Sequence, residues 1–256
     1  MLRTLPKPER TKGVCALAVM TKAPRAGQVK TRLTPPLTPA EAATLNKCFL
    51  RDITGSISIT AAKTKTVGFA VYTPEGDAAV YKGIVPASFH LLPQRGDALG
   101  ERIIFAFEDL FQLGFASVCL IGSDSPTIPP RLFTEATTIL AQPEDKMVLG
   151  PTEDGGYYLI GLNRMQRSLF QGIAWSTERV FEQTCARAQQ LDLPVHLLPE
   201  WYDVDDDKTL RRLCEELFVR NAKPAAGDPA PATRVYLERL LKREGRERIG
   251  PYEAQL

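Results

Sequence analysis

Residues 117–129, SVCLIGSDSPTIP, place a short apolar run directly before an abrupt polar turn. The run at 118–121 is typical of a strand that is covered on both faces, and a helical pattern starts near Pro130. Such a strand would carry the carboxylate of Asp124 to the edge of a sheet. Ligands of open α/β sheets bind outside the carboxyl ends of the strands, so Asp124 is a candidate for metal or substrate binding. N-capping of the next helix would explain this aspartate equally well.

Strand-like and helix-like segments alternate along the rest of the chain. Strands are predicted at 14–20, 66–72, 89–92, 118–121, 147–150, 157–162 and 195–198. Helices are predicted at 39–57, 99–113, 130–140, 178–191 and 208–220, and Thr38 and Glu41 form a capping box before the first. Because crossover helices separate the strands, we expect a mainly parallel, mixed sheet with helices on both faces. The predicted fold class is therefore α/β, as one three-layer α/β/α domain.

The predicted domain covers residues 14–220, after an N-terminal extension at 1–13. Residues 221–256 are predicted to be a linker and a C-terminal helical tail. The stretch NAKPAAGDPAPA at 221–232 is rich in Pro, Ala and Gly, which is typical of a flexible linker. Residues 233–244 can form one helix, and packing on the body or fraying is favoured over a role as a dedicated partner helix.

Composition excludes several classes of partner. The 256 residues include 32 basic and 30 acidic side chains, for a net charge of +2, so we expect neither nucleic acid nor a membrane as partner. The five cysteines lie far apart without a CxxC pair, which is typical of reduced, buried thiols. The amino terminus lacks the apolar core of a signal peptide, and no apolar run approaches ~18 residues. We expect a cytoplasmic protein.

A basic turn follows the first predicted strand. In TKAPRAGQVKTRL, residues 21–33, the cations Lys22, Arg25, Lys30 and Arg32 surround Gly27. A diphosphate needs cationic donors and a backbone that can approach it closely, which glycine permits. The glycine spacing matches neither the Walker motif nor GxGxxG, and a solvated basic turn is the simpler explanation. The turn and Asp124 leave the same predicted sheet edge, which favours a phosphate site.

Two acidic segments lie further along the chain. In GPTEDGGYYLIG, at 150–161, a hairpin turn explains the glycines but has no evident use for both Glu153 and Asp154. In WYDVDDD, at 201–207, helix capping explains one or two of the last three aspartates. Asp203 and Asp205 occupy alternate positions and can share a face. Asp205 would then pair with Asp124 as an oxygen ligand of Mg²⁺ or Mn²⁺, completed by substrate phosphates and water.

Five stretches together carry a resemblance to a known family. They are AVMTKAPRAGQVKTRL, LPQRGDALGERI, LIGSDSPTIP, LGPTEDGGYYLIGL and WYDVDD. In this order they resemble the glycosyltransferase-like family of GT-A fold that is sometimes labelled selenodomain-associated transferase. This family sits among the nucleotide-diphospho-sugar transferases and is similar, more distantly, to phospholactate guanylyltransferases and sugar cytidylyltransferases. The resemblance covers about residues 14–217 and implies the GT-A fold.

The resemblance also implies roles for individual residues. Nucleotide-binding residues are implied in the phosphate loop, in a loop that runs past the base and beside the metal-binding acid: Lys22, Arg25, Gly27, Lys30, Arg32, Gln94, Arg95, Gly96, Asp97 and Ser123. Asp124 matches the acid that binds the metal, and Asp205 matches the second ligand, with Asp203 beside it. The sequence departs from the family there, because the helix that follows Asp205 lacks the usual Thr-Pro start.

Three functions stay open at this point. In the first, a sugar passes from a nucleotide-sugar to a small acceptor; Asp124 and Asp205 hold the metal, and Glu153 or Asp154 positions the acceptor or takes its proton. In the second, a phosphorylated small molecule attacks the nucleotide α-phosphate. In the third, the protein binds nucleotides without catalysis. The partners implied are a nucleotide or nucleotide-sugar and a small-molecule acceptor.

Overall fold

The computed structural model describes residues 5–6, 11–219 and 230–250. Within them, seven strands form one sheet: β1 (Cys15–Lys22), β2 (Thr66–Thr73), β3 (His90–Pro93), β4 (Ser117–Ile121), β5 (Met147–Pro151), β6 (Tyr157–Leu162) and β7 (Val195–Leu197). The strand order is β3-β2-β1-β4-β6-β5-β7. Only β6 runs antiparallel to its neighbours β4 and β5 among these strands, so the mainly parallel, mixed sheet is confirmed.

Helices cover both faces of this sheet. They are α1 (Pro39–Ala61), α2 (Leu99–Gln112), α3 (Pro130–Leu140), α4 (Val180–Gln190), α5 (Asp207–Phe218), α6 (Pro231–Glu244) and α7 (Arg246–Ile249). Leu17 and Val19 of β1 pack in one core with α1 and α3, while Ala16 and Ala18 pack in a second core with α2. Alternate residues of one buried strand therefore feed two cores, and the three-layer arrangement is confirmed. None of the helices described is long and apolar enough to span a bilayer.

The register of the central strands brings two loops together. β1 and β4 are parallel neighbours, with Val19 opposite Ile121. The basic turn after β1 and the turn that contains Asp124 after β4 therefore leave the sheet side by side. This arrangement places the two most informative stretches of the sequence at one edge of the sheet, as their spacing predicts.

A third core joins the C-terminal helices to the domain. Leu45 and Phe49 of α1 pack there with Leu213 of α5, Leu237 of α6 and Ile249 of α7. The predicted tail helix begins at Pro231, two residues earlier than the pattern indicates, and the short helix α7 was not predicted. The predicted flexible linker lies almost entirely outside the described residues, as do positions 1–4 and 7–10 of the predicted N-terminal extension.

Glu41 links the predicted capping box to this third core. Its carboxylate accepts from the backbone N–H of Thr38 at 2.8 Å, and the Thr38 hydroxyl accepts from the N–H of Glu41 at 3.2 Å. Arg243 and Arg248 also donate to the Glu41 carboxylate, whose side chain is 11% exposed. Burial opposes ionisation, but the hydrogen bonds from Arg248 and Thr38 outweigh it and lower the pKa of Glu41.

We expect Glu41→Gln to lower the free energy of unfolding by about 1 kcal/mol at pH 7, because the cap and its ion pairs weaken. A lowered carboxyl pKa stabilises the folded state above the ordinary value of 4.5 and loses that effect as the pH falls below it. Urea unfolding at several pH values measures the difference, which should vanish in acid. The control is Glu238→Gln, whose ion pair with Lys242 is exposed. Equal losses in both variants, or a loss at Glu41 that is unchanged at pH 3, would contradict this assignment.

Candidate functional site

Two acids from distant parts of the chain meet on one lysine. Lys30 Nζ lies 2.6 Å from Asp124 Oδ1 and 2.9 Å from Asp205 Oδ1. The same ammonium donates to the backbone oxygen of Val204 at 2.8 Å. The Lys30 side chain is only 4% exposed, whereas the two carboxylates are about a third exposed. The predicted pairing of Asp124 with Asp205 is therefore present in the structure, with an ammonium group between the carboxylates.

Two further hydrogen bonds join the segments that carry Asp124 and Asp205. The N–H of Val204 donates to the backbone oxygen of Asp124 at 2.9 Å, and the hydroxyl of Ser125 donates to Asp203 Oδ1. Lys30 itself has a left-handed backbone with φ of 49°. The segment after β7 is thus fastened to the turn after β4 at two points.

The structure separates the roles of the clustered aspartates. Asp206 caps α5, because its Oδ1 accepts from the N–H of Thr209 at 2.8 Å. Asp207 pairs with Arg211 one helical turn later. Capping therefore occupies Asp206, and the alternate positions Asp203 and Asp205 both line cavities at the sheet edge.

Basic and acidic side chains lie in direct contact at this edge of the sheet. Burial alone would lower the pKa of Lys30, but Asp124 and Asp205 raise it, so the amine stays protonated. Arg32 lies 3.0 Å from the second oxygen of Asp205. Burial and the neighbouring charge of Asp124 raise the pKa of Asp203 to about 7. A cation is therefore required wherever these acids are ionised together.

The donor set suits a hard divalent cation only in part. Mg²⁺ binds through one or two carboxylates together with substrate phosphates, which Asp124 and Asp205 could supply. Across residues 5–6, 11–219 and 230–250, no group of three or more His, Cys, Asp or Glu side chains is arranged to hold a metal. Lys30 already occupies the space between the two carboxylates. A metal ion would share these acids with the ammonium or displace it.

A cavity of about 410 Å³ opens beside Lys30. Its lining includes Lys22, Gln28, Lys30, Arg32, Asn46, Gln94, Leu99, Arg102, Ser123, Asp124 and Asp205. Four of these side chains are basic and two are acidic, so the cavity carries a formal positive charge. We call it the basic cavity. It is suited to a phosphorylated ligand.

Seven of the predicted site residues line the basic cavity: Lys22, Lys30, Arg32, Gln94, Ser123, Asp124 and Asp205. Gln94 is also a structural link, because its Nε2 donates to the backbone oxygens of Thr21 at 3.1 Å and Val71 at 2.8 Å. These two bonds link the end of β3 to β1, which the basic turn follows, and to β2.

Five of the predicted nucleotide-binding residues do not line this cavity. Arg25 pairs with Asp77 at 2.6 Å, and Arg95 donates to Asp109 and stacks on Phe105. The remaining three are Gly27, Gly96 and Asp97. Gly27 and Gly96 have left-handed backbone angles, with φ of 74° and 95°. Glycine adopts this conformation readily, so both residues have a structural role in turns.

A second cavity of about 580 Å³ adjoins the first. The two share Met20, Arg32, Leu99, Ser123 and Asp124 as lining residues. The second is also lined by Ile103, Leu120, Asp154, Tyr157, Trp175, Ser176, Thr177, Glu178 and Asp203. Four of its side chains are acidic and one is basic, and we call it the acidic cavity. Asp124 stands at the boundary between cavities of opposite charge.

The two acids of the β5–β6 turn have separate structural partners. Asp154 Oδ1 accepts from the Thr152 hydroxyl at 2.6 Å and from the N–H of Gly156 at 3.0 Å, while its residue lines the acidic cavity. Glu153 forms a two-point ion pair with Arg212, at 2.6 and 2.9 Å, and lines neither cavity. The expectation that this turn has no structural use for both acids is wrong. Only Asp154 is brought to the site.

Sequence reasoning missed Asn46, Arg102, Trp175 and Glu178. Asn46 lies on α1 and is 4% exposed, yet its Oδ1 has no hydrogen-bond partner among the described residues. It lines the basic cavity. The sequence did contain one signal for Asn46. It is a polar residue on the apolar face of a predicted helix, one turn before Phe49 and Leu50.

We expect Asn46→Leu to raise the free energy of unfolding of the ligand-free protein by about 1 kcal/mol, because a buried side-chain oxygen without a hydrogen-bond partner is costly. Urea unfolding measures this change. The matched control is Asn163→Leu, which removes hydrogen bonds to Lys146 N and Glu144 O and should destabilise the protein. Destabilisation by both substitutions would show that the Asn46 amide is satisfied.

We expect Lys30→Met to lower the free energy of unfolding by about 2 kcal/mol at pH 7, because two neighbouring carboxylates lose their shared counterion. Their partial exposure keeps the loss below that of a fully buried pair. Lys22→Met is the control, since Lys22 is exposed at the same cavity. Chemical unfolding of both variants compares them, and a Lys30→Met protein as stable as the wild type would rule out the ammonium as the shared counterion.

Comparison with known proteins agrees with this geometry. Residues 58–177 match the family DUF2064, described as an uncharacterized protein conserved in bacteria. The matched stretch contains Asp124 and the β5–β6 turn. No curated protein matches the sequence.

Solved structures extend the likeness to most of the chain. A protein of Desulfovibrio desulfuricans G20, provisionally assigned as a nucleotide-diphospho-sugar transferase, is 27% identical, with a TM-score of 0.76 over 91% of this chain and 98% of that one. A 4-diphosphocytidyl-2C-methyl-D-erythritol synthase of Anaerococcus prevotii DSM 20548 is 8% identical, with a TM-score of 0.49 over 77% and 95% of the two chains. The second likeness is too low to carry an argument. The first likeness, together with the sheet topology, shows a GT-A-like fold of the nucleotide-diphospho-sugar transferase type.

Proposed function

We propose that the protein transfers a sugar from a nucleotide-diphospho-sugar to a small acceptor. The observation that carries this proposal is that two cavities of opposite charge meet at Asp124. In sugar transfer, the bond between the anomeric carbon and the anionic diphosphate breaks and a bond to an acceptor hydroxyl forms, so the reaction needs a site for each group. The likeness to the D. desulfuricans protein, at 27% identity, supports a donor of this class.

The basic cavity would bind the donor. Lys22, Arg32 and Arg102 line it, and charge-assisted hydrogen bonds from such side chains to phosphate oxygens are stronger than neutral ones. Negative charge grows on the diphosphate as the sugar leaves, and fixed cations stabilise it without reorganisation at the moment of reaction. Lys30 lines the same cavity and would add to this stabilisation.

Asp124 and Asp205 would hold Mg²⁺ or Mn²⁺, which supplies Lewis-acid neutralisation of the diphosphate when bound. Their existing contacts with Lys30 keep both carboxylates aimed at one point. On the acceptor side, Asp154 would accept a hydrogen bond from the attacking hydroxyl or take its proton. The turn fixes that carboxylate through Thr152 and Gly156.

We expect the wild-type protein with Mg²⁺ or Mn²⁺ to be stabilised by one or more members of a panel of UDP-, GDP-, ADP- and CDP-sugars. A ligand at a hundred times its dissociation constant adds about 2.7 kcal/mol to the free energy of unfolding. Incubation of the stabilising donor with an acceptor mixture should release nucleoside diphosphate, and removal of the metal with EDTA should abolish the release. Release of pyrophosphate from a nucleoside triphosphate would instead establish nucleotidyl transfer.

We expect Asp124→Asn to lower the rate of donor turnover roughly 100-fold or more, because the amide keeps the shape but loses the charge that faces the cation. Asp145→Asn is the matched control, since Asp145 pairs with Arg164 at the opposite edge of the sheet. Turnover is measured as nucleoside diphosphate released. An Asp124→Asn protein that binds nucleotide and metal as the wild type does would point to a binding protein without catalysis.

A further inference from the structure

The acidic cavity differs from the basic cavity in charge as well as in position. Asp124, Asp154, Asp203 and Glu178 line it, and Arg32 is its one basic lining residue among the described parts of the chain. Arg32 also lines the basic cavity, where the proposed donor would engage it, and its guanidinium lies 3.0 Å from Asp205 Oδ2. A phosphate group placed in this cavity would meet several carboxylates and no uncommitted cation. Coulomb repulsion of this kind is strong where walls of low dielectric exclude water.

The lining of the acidic cavity includes apolar side chains. Trp175 packs closely against α2, where a Cβ on Gly100 would come within 2.2 Å of the indole nitrogen. Gly100 therefore permits the ring to rest on the helix backbone. Leu99 is 45% exposed and lines the cavity next to this ring, with Ile103 one turn further along the helix. An exposed leucine beside a fixed aromatic ring is suited to an apolar ring or chain.

The lining of the acidic cavity also contains polar side chains. Asp154 and Asp203 line it as hydrogen-bond acceptors, and Ser176 and Thr177 line it with hydroxyl groups. Carboxylates accept hydrogen bonds from hydroxyl or ammonium groups but have no attraction for an anion. The cavity thus combines an apolar platform with acceptors for hydroxyl protons.

We infer that the acidic cavity is the acceptor site and that it takes a hydroxyl compound without negative charge, with an apolar ring or chain against Trp175. This inference rests on the proposed function, because it assigns the acceptor of that reaction. It adds that phosphorylated acceptors are rejected. Nucleotidyl transfer onto a phosphorylated molecule would need cations where this cavity has carboxylates.

The test uses the full chain with Trp201→Phe, which leaves Trp175 as the single tryptophan. Trp201 bonds to Thr127 and lines neither cavity, so its loss should not disturb the site. Three probes share one aryl sugar: phenyl β-D-glucoside, its 2-amino-2-deoxy analogue and its 6-phosphate. We expect the first two to change Trp175 fluorescence saturably, and the 6-phosphate to bind at least about tenfold more weakly.

Two further variants separate charge from shape. Glu178→Gln should reduce the difference in affinity between the 6-phosphate and phenyl β-D-glucoside. Glu182→Gln, which changes an exposed residue four positions later, should leave that difference unchanged. Trp175→Ala should weaken the binding of phenyl β-D-glucoside, which calorimetry measures. Equal or tighter binding of the 6-phosphate, or no saturable signal from any probe up to its solubility limit, would overturn the inference.

Failure of the proposed function would be recognised separately. Nucleoside diphosphate binding reports on the basic cavity and is measured by thermal stabilisation of the same Trp201→Phe protein. Loss of nucleotide binding with intact probe selectivity would refute sugar transfer and leave the acidic cavity as a site for neutral hydroxyl compounds. Intact nucleotide binding with a preference for the phosphorylated probe would refute the acceptor assignment alone.

Discussion

The contact on which this site depends is the ammonium of Lys30 between Asp124 and Asp205. These carboxylates come from segments about eighty residues apart, and their repulsion would separate the segments without a cation between them. The lysine is nearly buried, so its charge is poorly screened and its hold on both acids is correspondingly strong. All three residues line the basic cavity, and Asp124 also lines the acidic cavity.

Much of the fold could be predicted because its signals are local. The apolar run before Asp124 and the capping box at Thr38 and Glu41 each appear within a few residues of sequence. Asp124 and the basic turn could be brought to one edge by the parallel-strand rule alone. The short helix α7 had no such pattern, since its stability comes from packing of Ile249 in the third core.

The site was harder to predict, because partners distant in sequence decide where each side chain goes. Asp205 faces Lys30 only because Asp206 takes the capping role, a choice between adjacent aspartates that spacing cannot make. Glu153 is drawn to Arg212 on α5 and Arg25 to Asp77, so neither reaches the cavities. Trp175 and Glu178 lie in an irregular segment without periodicity, and only the folded chain places them opposite α2.

The most direct test of the account is a pair of double-mutant cycles on the free energy of unfolding, with Lys30→Met combined in turn with Asp124→Asn and Asp205→Asn. If one ammonium is shared by both acids, each cycle should give a coupling energy of about 1 kcal/mol or more, because loss of the lysine matters less once its partner is neutral. A coupling near zero in either cycle would contradict the account, since that aspartate would then not depend on Lys30.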